Sequence, residues 1–312
     1  MVKTPIFKLL ANNQDITRSI KQNLISITIK DEANSQADEL TLKVTGKVAR
    51  PQYKDTLKIY LGYEDVISFM GLFLVQTTTR ENNYGLTISA TGVDFSDSLK
   101  EKRNITYEKI SMKDICTQIA KRNSLKVGCD MDDIYFMSLA QQNESDLHFL
   151  NRMSRELNAI FNIKNDTLVF KKKMKNSKKS DALPSYTIDV NICNHINIKH
   201  SNRTFYKCAK AIWHDTKENK VKQVLAGSGA PVYVFKGNFK NSAEAKTKAE
   251  AKLQIANQGI VSGSLSIHGK VIFAGGILQL KNSLEDDGAY QIKSVTHTFD
   301  ASGWKTNLEF EN

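Results

Sequence analysis

Two alternating arms close this sequence, and they constrain its fold more than any other stretch. Tyr290-Gln291-Ile292-Lys293 runs into Val295, Thr296, His297, Thr298 and Phe299, and Asp300-Ala301-Ser302-Gly303 turns the chain. Trp304, Thr306, Leu308 and Phe310 then alternate outward. Period two on both arms predicts a half-buried β-hairpin. The phase slips between Ile292 and Val295, which predicts a bulge, because one extra residue re-aims the side chains after it. Upstream, Leu265-Ser266-Ile267-His268-Gly269 and Ile277-Leu278-Gln279-Leu280 supply further strands, punctuated by Gly275-Gly276 and the turn Glu285-Asp286-Asp287-Gly288. A small, tightly turned antiparallel barrel or sandwich follows.

Composition sets outer limits. A chain of 312 residues with 40% hydrophobic content can bury two or three separate cores. No apolar run approaches the roughly 20 residues a membrane span needs, and Met1-Val2-Lys3-Thr4-Pro5 has no signal-peptide core. Synthesis and assembly in the cytoplasm, without membrane insertion by this chain, are expected. Cys116, Cys129, Cys193 and Cys208 form no C-x-x-C pair and read as reduced structural thiols. The net charge of +11 invites a nucleic-acid partner. The lysines, however, are spread among asparagines and isoleucines, with no aromatic RNA motif, helix-turn-helix or zinc-finger spacing, so no sequence-specific nucleic-acid binding is expected. The densest run, from Lys171 to Ser180, cannot bury a face and reads as a solvated linker.

Three regions emerge. In the first, residues 1–104, Ile25, Ile27 and Ile29 alternate, a polar connection from Asp31 to Asp38 reverses direction, and Leu40, Leu42 and Val44 alternate back. Leu57, Ile59 and Leu61, then Phe69 to Val75 around Gly71, then Leu86, Ile88 and Ala90 after the Asn82-Asn83-Tyr84-Gly85 turn, add short strands of a barrel or sandwich. In the second, residues 105–170, Ser111 and Asp114 open a helix whose face is Met112, Ile115, Cys116, Ile119 and Ala120. Another helix starts near Asn143 or Ser145, buries Leu147, Leu150, Met153 and Leu157, and closes at Asn158. Phe161 and Ile163 pair with Leu168 and Phe170 across Lys164-Asn165-Asp166-Thr167, which completes a compact α/β module. After the linker at 171–180, the third region, 181–312, begins with Tyr186, Ile188, Val190 and Ile192 in alternation, then Ile196 and Ile198. Strands at Cys208 to Trp213 and Val221 to Leu225 follow, and Ser242 caps an alanine-striped helix near 243–257.

No stretch assembles recognisable chemistry. Cys193, His195, His200 and Cys208 are zinc-ligand types, but their spacing matches no common site and strands would alternate their faces. His214-Asp215 lacks an accompanying nucleophile. Gly227-Ser228-Gly229-Ala230-Pro231 lacks the Gly-Lys-Ser/Thr end of a phosphate loop. Glu285-Asp286-Asp287 sits in a turn, and His297, Tyr290 and Trp304 read as packed hairpin residues. No catalytic, cofactor-binding or metal-binding residue is assigned, and no cofactor is expected.

Gly288, Tyr290, Ile292, Val295, His297 and Phe299, a turn glycine, and then the W-x-T-x-L-x-F run from Trp304 together resemble the phage late control D family, the baseplate hub proteins of contractile phage tails. These are related to the N-terminal hub part of type VI secretion spike proteins. Ile119-Ala120 followed by Gln141-Gln142-Asn143-Glu144-Ser145-Asp146-Leu147-His148-Phe149-Leu150-Asn151-Arg152 matches the same family, with Asn158 where relatives often have glycine. The resemblance implies a mainly β, α+β fold of two tube-protein-like β-barrel domains flanking the α/β module. It implies a non-enzymatic structural protein of a phage or genome-free tailocin, forming a homotrimeric, pseudo-six-fold ring. The implied partners are the tail tube or a tube-initiator protein, a central spike protein and other baseplate proteins. Because the sequence stops at Asn312, directly after the hairpin, a separate spike is expected. The alternatives are a type VI-like spike component and a tail-associated cell-wall hydrolase.

Overall fold

A computed structural model describes residues 4–33, 38–81, 85–92, 97–164, 167–172, 184–201, 204–215, 218–239 and 241–312. Residues 173–180 of the lysine-rich run, the centre of the 31–38 connection, Asn82-Asn83-Tyr84 and Asn165-Asp166 lie outside them. Of the described residues 56% are strand and 19% helix, so the fold is mainly β.

The first half comprises β1 (Pro5–Ala11), β2 (Gln14–Asp15), α1 (Thr17–Lys21), β3 (Leu24–Glu32), β4 (Glu39–Val44), β5 (Thr56–Tyr63), β6 (Val66–Arg80) and β7 (Leu86–Thr91). Its ladder runs β3-β4-β7-β6-β5-β1-β2. Alternation places Ile27 opposite Leu42 and Ile29 opposite Leu40, and both pairs enter a core shared with Phe7 and Leu9 of β1. Ile25 departs from the expected alternation. A bulge between Leu24 and Ser26 turns it out to 50% exposure.

The central module comprises α2 (Asp97–Lys100), β8 (Lys102–Ser111), α3 (Met112–Arg122), β9 (Lys126–Cys129), β10 (Tyr135–Ser145), α4 (Asp146–Glu156), β11 (Ala159–Lys164) and β12 (Thr167–Lys172). Ser111 Oγ accepts from the Asp114 amide at 3.1 Å, and the expected apolar face of α3 is buried whole. Ser145 caps α4, Asn158 takes φ +48° beyond its end, and Phe161 and Ile163 face Phe170 and Leu168. The Gln141 to Arg152 run is a structural lock at the β10–α4 corner. Asp146, fully buried, accepts from Arg122 Nε at 2.8 Å and from Arg122 Nη2, Asn123 Nδ2 and Gln141 Nε2 at 2.9 Å. Glu144, in turn, holds Arg152 Nη2 at 2.6 Å.

The second half comprises β13 (Ser185–Asp189), β14 (His195–His200), β15 (Cys208–Asp215), β16 (Lys220–Gly227), β17 (Val232–Lys236), α5 (Ser242–Asn257), β18 (Val261–His268), β19 (Ile277–Lys281), β20 (Gly288–Asp300) and β21 (Gly303–Glu311). The alternation at Val190 and Ile192 does not continue β13, because Val190–Ile192 is a single 3-10 turn capped by the Asp189 side chain. β16-β15-β17 is a separate small sheet. α5 lies on it with Ala245 and Ala249 against Ala209, Ala211 and Ala226, since small side chains let helix and strand backbones approach. The cap of α5 is Asn241, one residue before the expected Ser242, with Oδ1 accepting from the Glu244 amide at 2.8 Å.

The two halves repeat one strand order. With β1, β3, β4, β5, β6 and β7 ranked 1 to 6, and β13, β14, β18, β19, β20 and β21 ranked likewise, both ladders read 2-3-6-5-4-1. They differ at strand 1, which is antiparallel to strand 4 in the first half and parallel to it in the second. β20 pairs with β3, so both halves belong to one 13-stranded sheet. The expected closed barrels do not form among the described residues. β3, which would close the first ladder on β1, is committed to β20 instead.

Asp146→Ala strands the Arg122 guanidinium in a part-buried site and is expected to cost about 3 kcal/mol of stability. Glu144→Gln, nearer solvent, should cost about 1 kcal/mol. Urea unfolding midpoints of the two variants check both the sizes and their order.

Candidate assembly interface

Strand β20 has three neighbours. Gly288–Gln291 pairs with β19, Ser294–Asp300 pairs with β3, and β21 lies along the opposite edge. The change of partner falls at the bulge, where Ile292 faces Phe310, Ser294 faces Glu309 and Lys293 has no opposite residue. The Lys293 carbonyl accepts from the Ala33 amide at 2.9 Å, while the Ile292 amide donates to the Gly276 carbonyl at 2.9 Å. The expected phase slip is therefore the point at which one half hands over to the other. Ile292, Val295, Leu308 and Phe310 fill the second core, and Phe299 and Trp304 pack into the first.

The loop from Gly269 to Gly276 is tied across this joint by buried polar groups. His297 Nε2 lies 3.1 Å from the Ile272 carbonyl, an acceptor only, so it carries the proton, and Nδ1 lies 3.1 Å from Thr306 Oγ1, whose hydroxyl donates to the Lys270 carbonyl at 3.0 Å. The Lys270 amide donates to the same hydroxyl at 3.0 Å. Burial pulls the His297 pKa down to about 4, so the ring is neutral at pH 7. Asp31 Oδ2 accepts from the Ala274 amide at 2.8 Å, and the Gln291 amide donates to the Gly275 and Gly276 carbonyls at 2.8 and 3.0 Å. Gly269 lies under Trp304, where a Cβ would come within 2.0 Å of the indole Cδ2. Tyr63, from the other half, donates to the Gly269 carbonyl at 2.9 Å and stacks obliquely on Trp304 at 5.5 Å.

On the other face of the joint, Lys30, Ser264, Ser294, Thr296, Asn307 and Glu309 line a shallow polar groove of about 280 Å³. Lys30 pairs with Glu32 at 2.8 Å, and hydrogen bonding to that carboxylate raises the lysine pKa.

The residues weighed for chemistry stay apart. His195 and His200 are both exposed on β14 at odd spacing, hence on opposite faces, and Cys208 is buried in the separate sheet. His200 Nε2 sits 2.6 Å from Asp286 Oδ1. Among the described residues no three His, Cys, Asp or Glu side chains are grouped to hold a metal ion. Asp215, beside the exposed His214, pairs with Lys222 at 2.7 Å. Gly227 takes φ +83° where a Cβ would meet the Lys207 carbonyl at 2.4 Å, and residues 228–231 are a plain connection from β16 to β17. Asp287 accepts from the Ser283 amide and hydroxyl, which lowers its pKa. Tyr290 donates to the Asp286 carbonyl at 2.8 Å and packs on Phe310. Sequence reasoning passed over Asp31, Tyr63 and the Gly269–Gly276 loop. Asp31 did carry a signal, a carboxylate in phase with Ile27 and Ile29 on the core face of a strand.

An imidazole held neutral makes folding pH-dependent. The unfolded chain takes up a proton below about 6.5 and the folded chain only below about 4, so the stability contributed by neutral His297 is present above pH 6.5 and is lost as pH falls toward 4. The loss should approach about 3 kcal/mol. Urea unfolding of the native chain and of His297→Gln at pH 7 and pH 5 should show a flatter pH dependence in the variant. Gly269→Ala should destabilise by about 3 kcal/mol through the clash with Trp304, read from the same unfolding curves.

Comparison with known proteins agrees with this architecture. The chain is 25% identical over 360 aligned residues to the "Probable baseplate hub protein" of Escherichia phage 186, covering 98% of this chain and 92% of that one. In fold it resembles the 43 kDa tail protein of prophage MuSo2 from Shewanella oneidensis, with TM-score 0.72, 12% identity and 98% of each chain covered. It also resembles an E. coli component of the type VI secretion system, with TM-score 0.56, 9% identity, and 92% of this chain and 73% of that chain covered. Residues 66–303 match the family described as phage tail baseplate hub (GPD). The chain belongs to that family of structural, non-enzymatic components of the phage tail baseplate.

Proposed function

We propose that this chain builds the hub ring of a contractile tail baseplate, a closed trimer that joins the six-fold tail tube to a three-fold central spike. The observation that carries this reading is the repeated 2-3-6-5-4-1 strand order. A chain with two equivalent sheets offers six of them per trimer, so one face can match six-fold neighbours while the particle keeps three-fold symmetry. In this reading residues 1–104 and 181–312 act as two tube-like domains, with 171–180 as the linker before the second. Module 105–170 stands outside the ring toward other baseplate proteins, and the β15–β17 sheet with α5 is an insertion between strands 2 and 3 of the second domain. The small polar side chains of the groove around Ser294 and Thr296 favour a wetted wall over a dry interface.

Light scattering across a concentration series should give three times the chain mass, and particle images of the same sample should show a ring with a central hole. A species that stays monomeric at every concentration overturns the self-assembling ring. A peptidoglycan turnover assay should show no activity, and turnover abolished by one Asp or Glu substitution would restore the hydrolase reading.

A further inference from the structure

The central module contains a thiol pair that the assembly of a ring does not need. All four cysteines are free thiols, and two of them meet. Cys116 is fully enclosed on the buried face of α3, and Cys129, at the end of β9, is half-buried against the same core. The Cys116 thiol donates a hydrogen bond to the Cys129 sulfur. The other two cysteines lie apart from them and donate to backbone carbonyls, Cys193 to that of Asp189 and Cys208 to that of Ala209.

Spacing along the chain builds this contact. α3 ends at Arg122, and Ser124 at φ +55° turns the chain back, with the Leu125 amide on the Ala120 carbonyl at 2.8 Å. The helix from Cys116 to Arg122 rises about 9 Å, and the strand from Lys126 to Cys129 returns about 10 Å, so the two cysteines come level. Cys129 stands opposite Phe170 on the parallel ladder of β9 and β12, hence on the core face that α3 covers. The end of β9 is fixed there, because the Asp130 amide donates to the Phe170 carbonyl at 3.3 Å and Asp130 Oδ1 accepts from the Lys172 amide at 3.1 Å. The two thiols are unequal. Donating to Cys129 pushes the Cys116 thiol up, and burial adds to that. Accepting from Cys116, and also from the Met131 amide, holds Cys129 down against its burial and the charges of Asp130 and Asp132. Cys129 is thus both the more reachable sulfur and the readier thiolate.

We propose that Cys116 and Cys129 form a redox modification site, at which Cys129 reacts with a low-molecular-weight disulfide such as oxidised glutathione and Cys116 resolves the product into a bond between α3 and β9. The Cys129 thiolate attacks one sulfur of oxidised glutathione, which forms a mixed disulfide and expels one glutathione thiolate. Cys116 then gives up its proton and attacks the Cys129 sulfur, which breaks the mixed disulfide and expels the second glutathione thiolate. In sum the two protein thiols lose two protons and two electrons, and one oxidised glutathione becomes two reduced molecules. The pair therefore stays a dithiol in a reducing compartment and closes where disulfides persist. Closing the short loop between α3 and β9 stabilises the module mainly by restraining the unfolded chain. The site lies within one module of one chain, so it does not depend on how copies assemble.

Incubating the full native chain with oxidised glutathione, blocking the remaining thiols and mapping the tryptic peptides without reductant tests the site. Lys121, Arg122 and Lys126 lie between the two cysteines, so trypsin leaves them on separate peptides that only a disulfide holds together. The expected result is a linked pair of peptides carrying Cys116 and Cys129, lost on reduction. The urea unfolding midpoint should rise on oxidation and return on reduction. Cys116→Ser should stop at the first step, with one glutathione held on Cys129, and its midpoint should not rise. Cys129→Ser should take no glutathione on Cys116. A native chain that keeps both thiols free while its urea transition shows it folded overturns the site, and so does a link that forms only in urea. Glutathione on Cys116 in folded Cys129→Ser overturns the assigned order of attack.

Discussion

The change of partner along β20 is the interaction on which the rest of the structure depends. A strand has two edges, and β21 takes one of them along most of its length. The other is divided at Lys293 between β19 of the same half and β3 of the other. A bulge suits this division, because an extra residue bends and twists the strand where the pairing must change direction. Four polar side chains around it serve the same end. His297, Thr306, Asp31 and Gln291 each bond to the loop between Gly269 and Gly276, so loop and hairpin are fixed to each other. Such groups are costly unless satisfied, and here Asp31 reaches the loop from the first half while His297, Thr306 and Gln291 reach it from the second, which ties the packing of one core to that of the other.

The central module shows why a specific sequence pattern need not mark chemistry. Gln141, Glu144, Ser145, Asp146 and Arg152 belong to the run that carries the family resemblance in the central module. In the structure they satisfy a helix cap, a buried carboxylate and an arginine at a single strand-to-helix corner. The same residue types in an open cleft would face substrate. Asp146 is instead enclosed by Arg122, Asn123 and Gln141.

Local regularities were legible in the sequence. The final hairpin, its bulge, the face of α3, the cap at Ser111 and the left-handed Asn158 all rest on spacing within a few residues, and all are found where spacing puts them. Non-local choices were not legible. Nothing near β20 or β3 announces that Phe299 will face Ile27 across the joint, because hydrophobic alternation selects a face and not a neighbour. Ile25 shows the same limit at short range, since its phase pointed inward until a bulge turned it out. The repeat was equally hidden. Its fixed points are glycines and bulges, such as Gly71 with Gly288 and Gln76 with Lys293, and few side chains between them coincide.

The joint also fixes how the two halves are oriented. Adjacent strands in a sheet are rotated by a roughly constant angle of about 20–25°, so the geometry at β20 and β3 sets how far one half is turned from the next. The strand 1 difference, antiparallel in β1 and parallel in β13, lies at the far end of each ladder from that joint. The two halves can therefore diverge there without disturbing the joint.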